Sequence, residues 1–152
     1  MIVYRLSKTD FCKDLSGKGA EIFGGRWNSK GQAVIYTCES RALCVAEIAV
    51  HTPLGVVPLD YCLCTIEFPD NINPQEISNE QLSSDWKSFP QSESTQVIGN
   101  GFIRNKRSLV LKVPSAVVAG EFNYLINPSH PDSHKVKIVK TEPFLFDERL
   151  FK

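Results

Sequence analysis

Apolar positions along the chain gather in short blocks whose spacing switches between the strand period of two and the helical period near four. The block Ile2-Val3-Tyr4-Arg5-Leu6 opens the chain as a first strand over residues 2–6. Ser16-Gly17-Lys18-Gly19-Ala20, followed by Gly24-Gly25, predicts a loop that takes backbone conformations closed to other residues. Gln32-Ala33-Val34-Ile35-Tyr36-Thr37, rich in β-branched and apolar residues, predicts a second strand. The clearest helix follows. Ser40 is its expected N-cap, Ala42, Leu43, Ala46, Ile48, Ala49 and Val50 form its apolar face, and Pro53 closes it after His51 and Thr52.

A strand is expected over residues 61–68, and then a polar excursion over 69–94 with a short helix near Ser84-Asp85-Trp86. A second helix is predicted from Ser94 to Arg104, with Val97, Ile98, Phe102 and Ile103 facing inward. Ser108 to Val113 reads as a strand stopped by Pro114, Asn123 to Ser133 as a loop, and Lys135 to Lys140 as a final strand. This irregular alternation does not suit a parallel, doubly wound sheet. The expected class is α+β, one domain over residues 1–152 with antiparallel sheets flanked by helices.

Composition narrows the picture. The chain has 152 residues, 42% hydrophobic and 22% charged, as a globular domain does. Charged or polar residues interrupt every apolar run, so no membrane span is expected, and the N-terminus reads as a strand and not as a signal peptide. The expected location is the cytoplasm. Lysine plus arginine equals aspartate plus glutamate, 17 against 17. Nucleic-acid binding draws on a basic excess, so the single cluster Arg104-Asn105-Lys106-Arg107 is read as a solvated turn and no direct nucleic-acid contact is expected.

Five cysteines, Cys12, Cys38, Cys44, Cys62 and Cys64, form an odd set that suits reduced thiols in a reducing compartment. Cys62 and Cys64 are two apart and share one strand face. With only His130 and His134 as distant candidates, the spacing does not suit zinc, so small core residues are the reading and no metal is expected.

Several polar residues remain to be explained. Glu47 stands on an apolar helix face, where a carboxylate is rarely buried unpaired; alone it also fits a partly exposed glutamate at the helix edge, or one paired with Arg26 or Arg41. Arg26 follows two glycines, as a phosphate-binding arm or a surface turn arginine would. Tyr36 ends a strand, suited to stacking on a ring or to packing at a sheet edge. Ser115 after Pro114 either bonds a ligand or caps the next turn, and no nucleophile elbow surrounds it. Asn127-Pro128 suits a tight turn and His130 a brace for the loop before Pro131, with a reach into the pocket as the alternative for either, and Trp27 and Trp86 suit packing. A cysteine hydrolase using His51 or His130 lacks any flanking signature.

Five segments in order resemble the RES family, toxins of bacterial toxin–antitoxin pairs. They are Gly24-Gly25-Arg26-Trp27-Asn28-Ser29-Lys30-Gly31, Val34-Ile35-Tyr36-Thr37-Cys38-Glu39-Ser40, Ala42-Leu43-Cys44-Val45-Ala46-Glu47, Leu109 to Val118, and Asn123 to Asp132. The resemblance runs from Tyr4-Arg5 to Leu150. It departs at Ile98-Gly99-Asn100-Gly101-Phe102, where the family more often carries an acidic residue and a tryptophan; the departure bears on helix details and partner contacts.

The resemblance implies an ADP-ribosyltransferase-like fold and consumption of NAD⁺ as substrate, with no resident cofactor. It implies Glu47 as the catalytic carboxylate, with Arg26 and Tyr36 beside it, and Arg26, Tyr36, Ser115 and Asn127 as the NAD⁺-binding set. The acceptor of ADP-ribose is left open among water, phosphate and a protein, as is a non-catalytic nucleotide-binding role. An Xre-like helix-turn-helix antitoxin is the implied partner, with a homodimer inside a larger complex.

Overall fold

The computed structural model describes residues 1–152. Its strands are β1 (Ile2–Lys8), β2 (Ile35–Cys38), β3 (Tyr61–Glu67), β4 (Gln75–Glu76), β5 (Val110–Pro114), β6 (Phe122–Ile126) and β7 (Lys137–Phe144). The helices are α1 (Lys18–Phe23), α2 (Arg41–Val50) and α3 (Glu93–Asn105). The strands form one sheet in the order β4-β5-β6-β2-β1-β3-β7. All neighbours are antiparallel except β4 and β5, so the α+β expectation holds with one parallel pair at an edge.

The ladder between β1 and β2 is the exception that shapes the molecule. β1 pairs with β3 along its whole length, and β2 pairs with β6 from Ile35 to Cys38. Between β1 and β2 a single register pair joins Tyr4 to Cys38. Continuing that register would place Arg5 opposite Thr37 and Leu6 opposite Tyr36. Those rungs are absent, and the strands splay into a cleft.

Burial follows strand alternation. Val3, Cys62, Cys64, Ile66, Val110 and Ile126 pack on one face of the sheet. The other face carries two separate apolar clusters. Trp27, Val34, Leu111, Val113 and Leu125 lie with Phe102 and Ile103 of α3, and Leu6, Leu63, Phe146 and Phe151 lie with Leu43 and Cys44 of α2. The space between these clusters is the cleft.

Several elements differ from expectation. Residues 18–23 of the glycine-rich stretch form α1, which begins after Gly17 (φ 71°) and ends at Gly24 (φ 69°). Asn123 to Ser133 is not wholly loop, because Phe122–Ile126 is the central strand β6, whose polar start pairs with β2 and β5. The last strand spans Lys137–Phe144, preceded by a 3₁₀ turn at Ser133–Lys135. The helical turn in the polar excursion lies at Asn79–Gln81, and Ser84 to Trp86 is a plain turn. Val97 is 67% exposed, because α3 turns Thr95, Gly99, Phe102 and Ile103 inward.

α2 starts as expected, with Ser40 Oγ accepting the Leu43 N–H at 3.0 Å. It buries Leu43 and Cys44, and Val50 is exposed. The expectation of five reduced thiols is corrected: Cys12 and Cys62 form a disulfide, and Cys38, Cys44 and Cys64 are free. No helix is long and apolar enough to cross a membrane.

Candidate active site

The cleft encloses a cavity of about 860 Å³. The residues that would have formed the missing rungs, Arg5, Leu6, Tyr36 and Thr37, line it together with Arg26 and Trp27, Glu47 and His51, and Phe89 and Gln91.

The turn that carries Arg26 is built by close approach. Gly25 donates its N–H to Asn28 O at 2.9 Å. A Cβ on Gly25 would lie 2.7 Å from the Tyr36 hydroxyl, so only glycine fits. Tyr36 is half-buried; its hydroxyl donates to Asn28 Oδ1 at 2.6 Å and accepts the Trp27 N–H at 3.0 Å. Burial raises the Tyr36 phenol well above its usual pKa, against weaker opposing effects from Trp27, Arg26 and Asn28. It is therefore a neutral strut.

α3 braces the same turn from behind. Thr95 Oγ1 donates to Arg26 O at 2.6 Å, and Gln96 Nε2 donates to Gly25 O at 3.0 Å. Asn100 Oδ1 accepts the Ser29 N–H at 3.0 Å while its Nδ2 donates to Ser29 Oγ at 2.8 Å. The departure from the family pattern at Asn100 thus supplies a tie between helix and turn. Gly99 lets α3 come this close, since a Cβ there would sit 1.7 Å from Trp27 O.

Arg26 reaches across the turn, and its Nη1 donates to Trp86 O at 2.7 Å and Ser88 O at 3.0 Å. Burial lowers its pKa, while the Glu47 carboxylate favours the cation. Arg26 therefore stays charged in the cavity wall and fixes the 86–88 segment.

Glu47 enters from α2, half-buried, and Ser115 Oγ donates to its Oε1 at 3.2 Å. Ser115 is 2% exposed and also accepts the N–H groups of Val117 at 3.1 Å and Val118 at 3.0 Å. Both readings of this serine meet here: it caps the turn after β5 and aims the carboxylate. It lies behind Glu47 and is not among the cavity-lining residues. Arg41 is not the partner of Glu47, because its Nη2 pairs with Glu142 Oε2 at 3.1 Å.

Two candidates lie elsewhere. Asn127 is fully buried, with Nδ2 donating to Ile103 O at 2.9 Å and Oδ1 accepting the Ser129 N–H at 3.0 Å. It is a brace at the end of β6 and does not line the cavity. His130 Nδ1 accepts the Asp132 N–H at 3.0 Å and braces its loop as expected. Trp27 and Trp86 are buried and pack at 6.3 Å between ring centroids.

Arg5 is a further cavity residue that the sequence reading passed over. Its Nη2 donates to Phe11 O and Cys12 O, each at 3.0 Å. Burial lowers its pKa, with Cys64 and Asp14 opposing, and no carboxylate forms an ion pair with it. The available signal was a cation inside the apolar block of residues 2–6, since buried cations are rare without a partner.

Cys38 and Cys44 also line the cavity. The Cys44 thiol, burial and the Glu47 charge all push Cys38 up, so it stays a thiol and is not an activated nucleophile. No group of three His, Cys, Asp or Glu side chains is placed to hold a metal ion.

Fold and site together define an α+β protein whose central sheet parts around a ligand-sized cavity bearing one carboxylate and two guanidinium groups. The RES domain family model matches residues 2–147, and the chain belongs to that family. The Prs ADP-ribosylating toxin of Sphingobium sp. (strain YBL2) is 37% identical over 148 residues, covering 96% of this chain and 92% of that protein. Toxin Res of Photorhabdus laumondii is 37% identical over 155 residues, covering 100% of this chain and 98% of that protein. The crystal structure of the M. tuberculosis MbcT–MbcA toxin–antitoxin complex contains a chain with the same fold. Its TM-score is 0.75 at 21% identity, covering 99% of this chain and 86% of that chain.

Proposed function

We propose that this RES-family chain is the toxin of a toxin–antitoxin pair and that it cleaves the nicotinamide–ribose bond of NAD⁺. The observation that carries the reading is Glu47: a single carboxylate, aimed by a buried serine, in a cavity whose other charged groups are Arg5 and Arg26. Nicotinamide in NAD⁺ is already cationic. When the C–N bond breaks, its electron pair leaves with the ring, which departs neutral and needs no proton. A glycosidase needs a second carboxyl group to protonate its leaving group; NAD⁺ cleavage does not. Positive charge grows on the ribose, and one carboxylate facing it and holding a ribose hydroxyl is sufficient.

Arg26 and Arg5 suit the pyrophosphate, because guanidinium forks match phosphate oxygens. The Tyr36 ring forms the inner wall against the nicotinamide. Ser115 acts through Glu47, and Asn127 acts through the fold.

Water or phosphate completes the reaction at C1′ in the leading form of the proposal. The similarity to the Prs ADP-ribosylating toxin favours a second reading, in which a protein side chain is the acceptor. The likeness to MbcT within the MbcT–MbcA complex supports an antitoxin partner, which we take to be Xre-like, with the toxin as a homodimer in the larger complex. The decisive experiment incubates the purified chain with NAD⁺, with and without phosphate, and measures nicotinamide. Release by wild type and its loss in Glu47→Gln are expected. Equal release by the two proteins overturns the proposal. Labelled NAD⁺ whose ADP-ribose ends on a macromolecule selects the second reading.

A further inference from the structure

We propose that Phe89 is an aromatic platform at the cavity mouth that recognises the positive charge of the nicotinamide ring. The inference rests on the NAD⁺ reading above and assigns a residue that lies outside the five family-like segments.

Phe89 lines the cavity, yet 75% of its surface is exposed. A lone exposed apolar side chain is ordinary. This one is set apart by the backbone beneath it. Trp86 O and Ser88 O both accept from Arg26 Nη1, and Ser88 Oγ donates to Pro90 O at 3.1 Å. Trp86 is itself buried against Trp27. The chain is therefore anchored to Arg26 just before Phe89 and bridged locally across it, while the ring is not consumed by the core. Such a ring is held ready for a ligand at little ordering cost.

Its position relative to the carboxylate suits one half of the substrate. His51 caps α2 four residues after Glu47, so it stands about one helical turn, ~6 Å, further along the same face. The Phe89 ring faces His51 at 6.1 Å between centroids. A ribose held at Glu47 thus places its base toward Phe89. Of the other aromatic residues of the cavity, Trp27 is committed to the buried pair with Trp86, and Tyr36 is fixed as the inner wall by its hydroxyl bond to Asn28, which leaves Phe89 as the exposed ring at the mouth.

The chemistry gives the platform a direction. A cation over an aromatic face is attracted by the ring quadrupole, and the attraction vanishes when the charge does. NAD⁺ carries that charge before cleavage and nicotinamide lacks it afterwards. Phe89 therefore favours the substrate ring over the product ring, which it holds less tightly once the charge is gone.

The test titrates the full chain, by ligand-observed NMR, with 1-methylnicotinamide, its neutral counterpart nicotinamide, and ADP-ribose, which has no pyridine ring. Wild type is expected to bind the cation more tightly than nicotinamide. Phe89→Leu keeps an apolar side chain but removes the ring, and it is expected to lose ~2- to 5-fold of that preference. Phe89→Trp is expected to keep or increase it. ADP-ribose affinity and melting temperature are expected to be unchanged in both variants. A preference that survives in Phe89→Leu overturns the platform, as does equal binding of the two pyridines by wild type. An equal loss of ADP-ribose affinity places another part of the substrate on Phe89 and also overturns it. Nicotinamide release by wild type, alongside any of these, leaves the activity reading standing while the platform falls. Absence of release with a ring-dependent cation preference does the reverse.

Discussion

Ser115 Oγ sits 3.2 Å from Glu47 Oε1 and, on its other side, accepts the N–H groups of Val117 and Val118. One hydroxyl therefore joins the end of β5 to the carboxylate on α2, across 68 residues of sequence. With its lone pairs taken by two backbone donors, its proton is left for Glu47, and the bond has only one sensible direction.

Ser115→Ala removes that aim without removing the carboxylate. We expect kcat for nicotinamide release to fall about 10- to 100-fold, the scale of a small misplacement of a reacting group. KM for NAD⁺ should move little, because the arginines are untouched. The lost cap also costs about 1 kcal/mol of stability. Steady-state kinetics beside thermal melts separates the two effects, and an unchanged kcat would remove Ser115 from the mechanism.

Tyr36→Phe tests the strut. The variant leaves Asn28 Oδ1 and the Trp27 N–H without their partner, although the ring remains in the cavity wall. An orphaned buried group costs about 1–3 kcal/mol, which lowers the melting temperature by roughly 3–10 °C. Because the turn carries Arg26, KM should rise more than kcat falls. A variant with wild-type melting and KM shows that α3 alone holds the turn.

How much of this was legible beforehand depends on whether the cause was local. Ser40 and α2 could be read because a cap and a periodic apolar face lie side by side in sequence. Glu47 stood out for a local reason, a charge among apolar neighbours. α1 was hidden because its six residues include a glycine, and β6 because its Asn123 resembles loop chemistry. Their cause is tertiary: β6 is a strand because β2 and β5 flank it. Gly99 looked like a helix defect, and its reason is Trp27 O from a turn about seventy residues earlier. Arg5 and Phe89 belong to the cavity only because β1 and β2 splay and Arg26 draws the 86–88 segment inward.

The Cys12–Cys62 disulfide gives the last prediction. It closes a loop with a sequence separation of 50 residues. Chain-entropy reasoning assigns such a closure about 4 kcal/mol, and measured bridges give about 2–4. Reduction should therefore lower the melting temperature by roughly 5–15 °C. The effect should extend to the cavity. Phe11 O and Cys12 O hold Arg5 Nη2, so freeing this segment loosens a guanidinium that we assign to the pyrophosphate. Adding reductant should raise KM for NAD⁺ while leaving the Glu47–Ser115 pair, on other elements, undisturbed. A Cys12→Ala, Cys62→Ala double variant should start from the lower melting temperature and ignore the reductant. Intact mass under non-reducing conditions supplies the check, because the bridged chain is two hydrogens lighter. A wild type whose mass and melting do not respond to reductant shows that the bridge does not form in solution, and Arg5 must then be held by its carbonyl contacts alone.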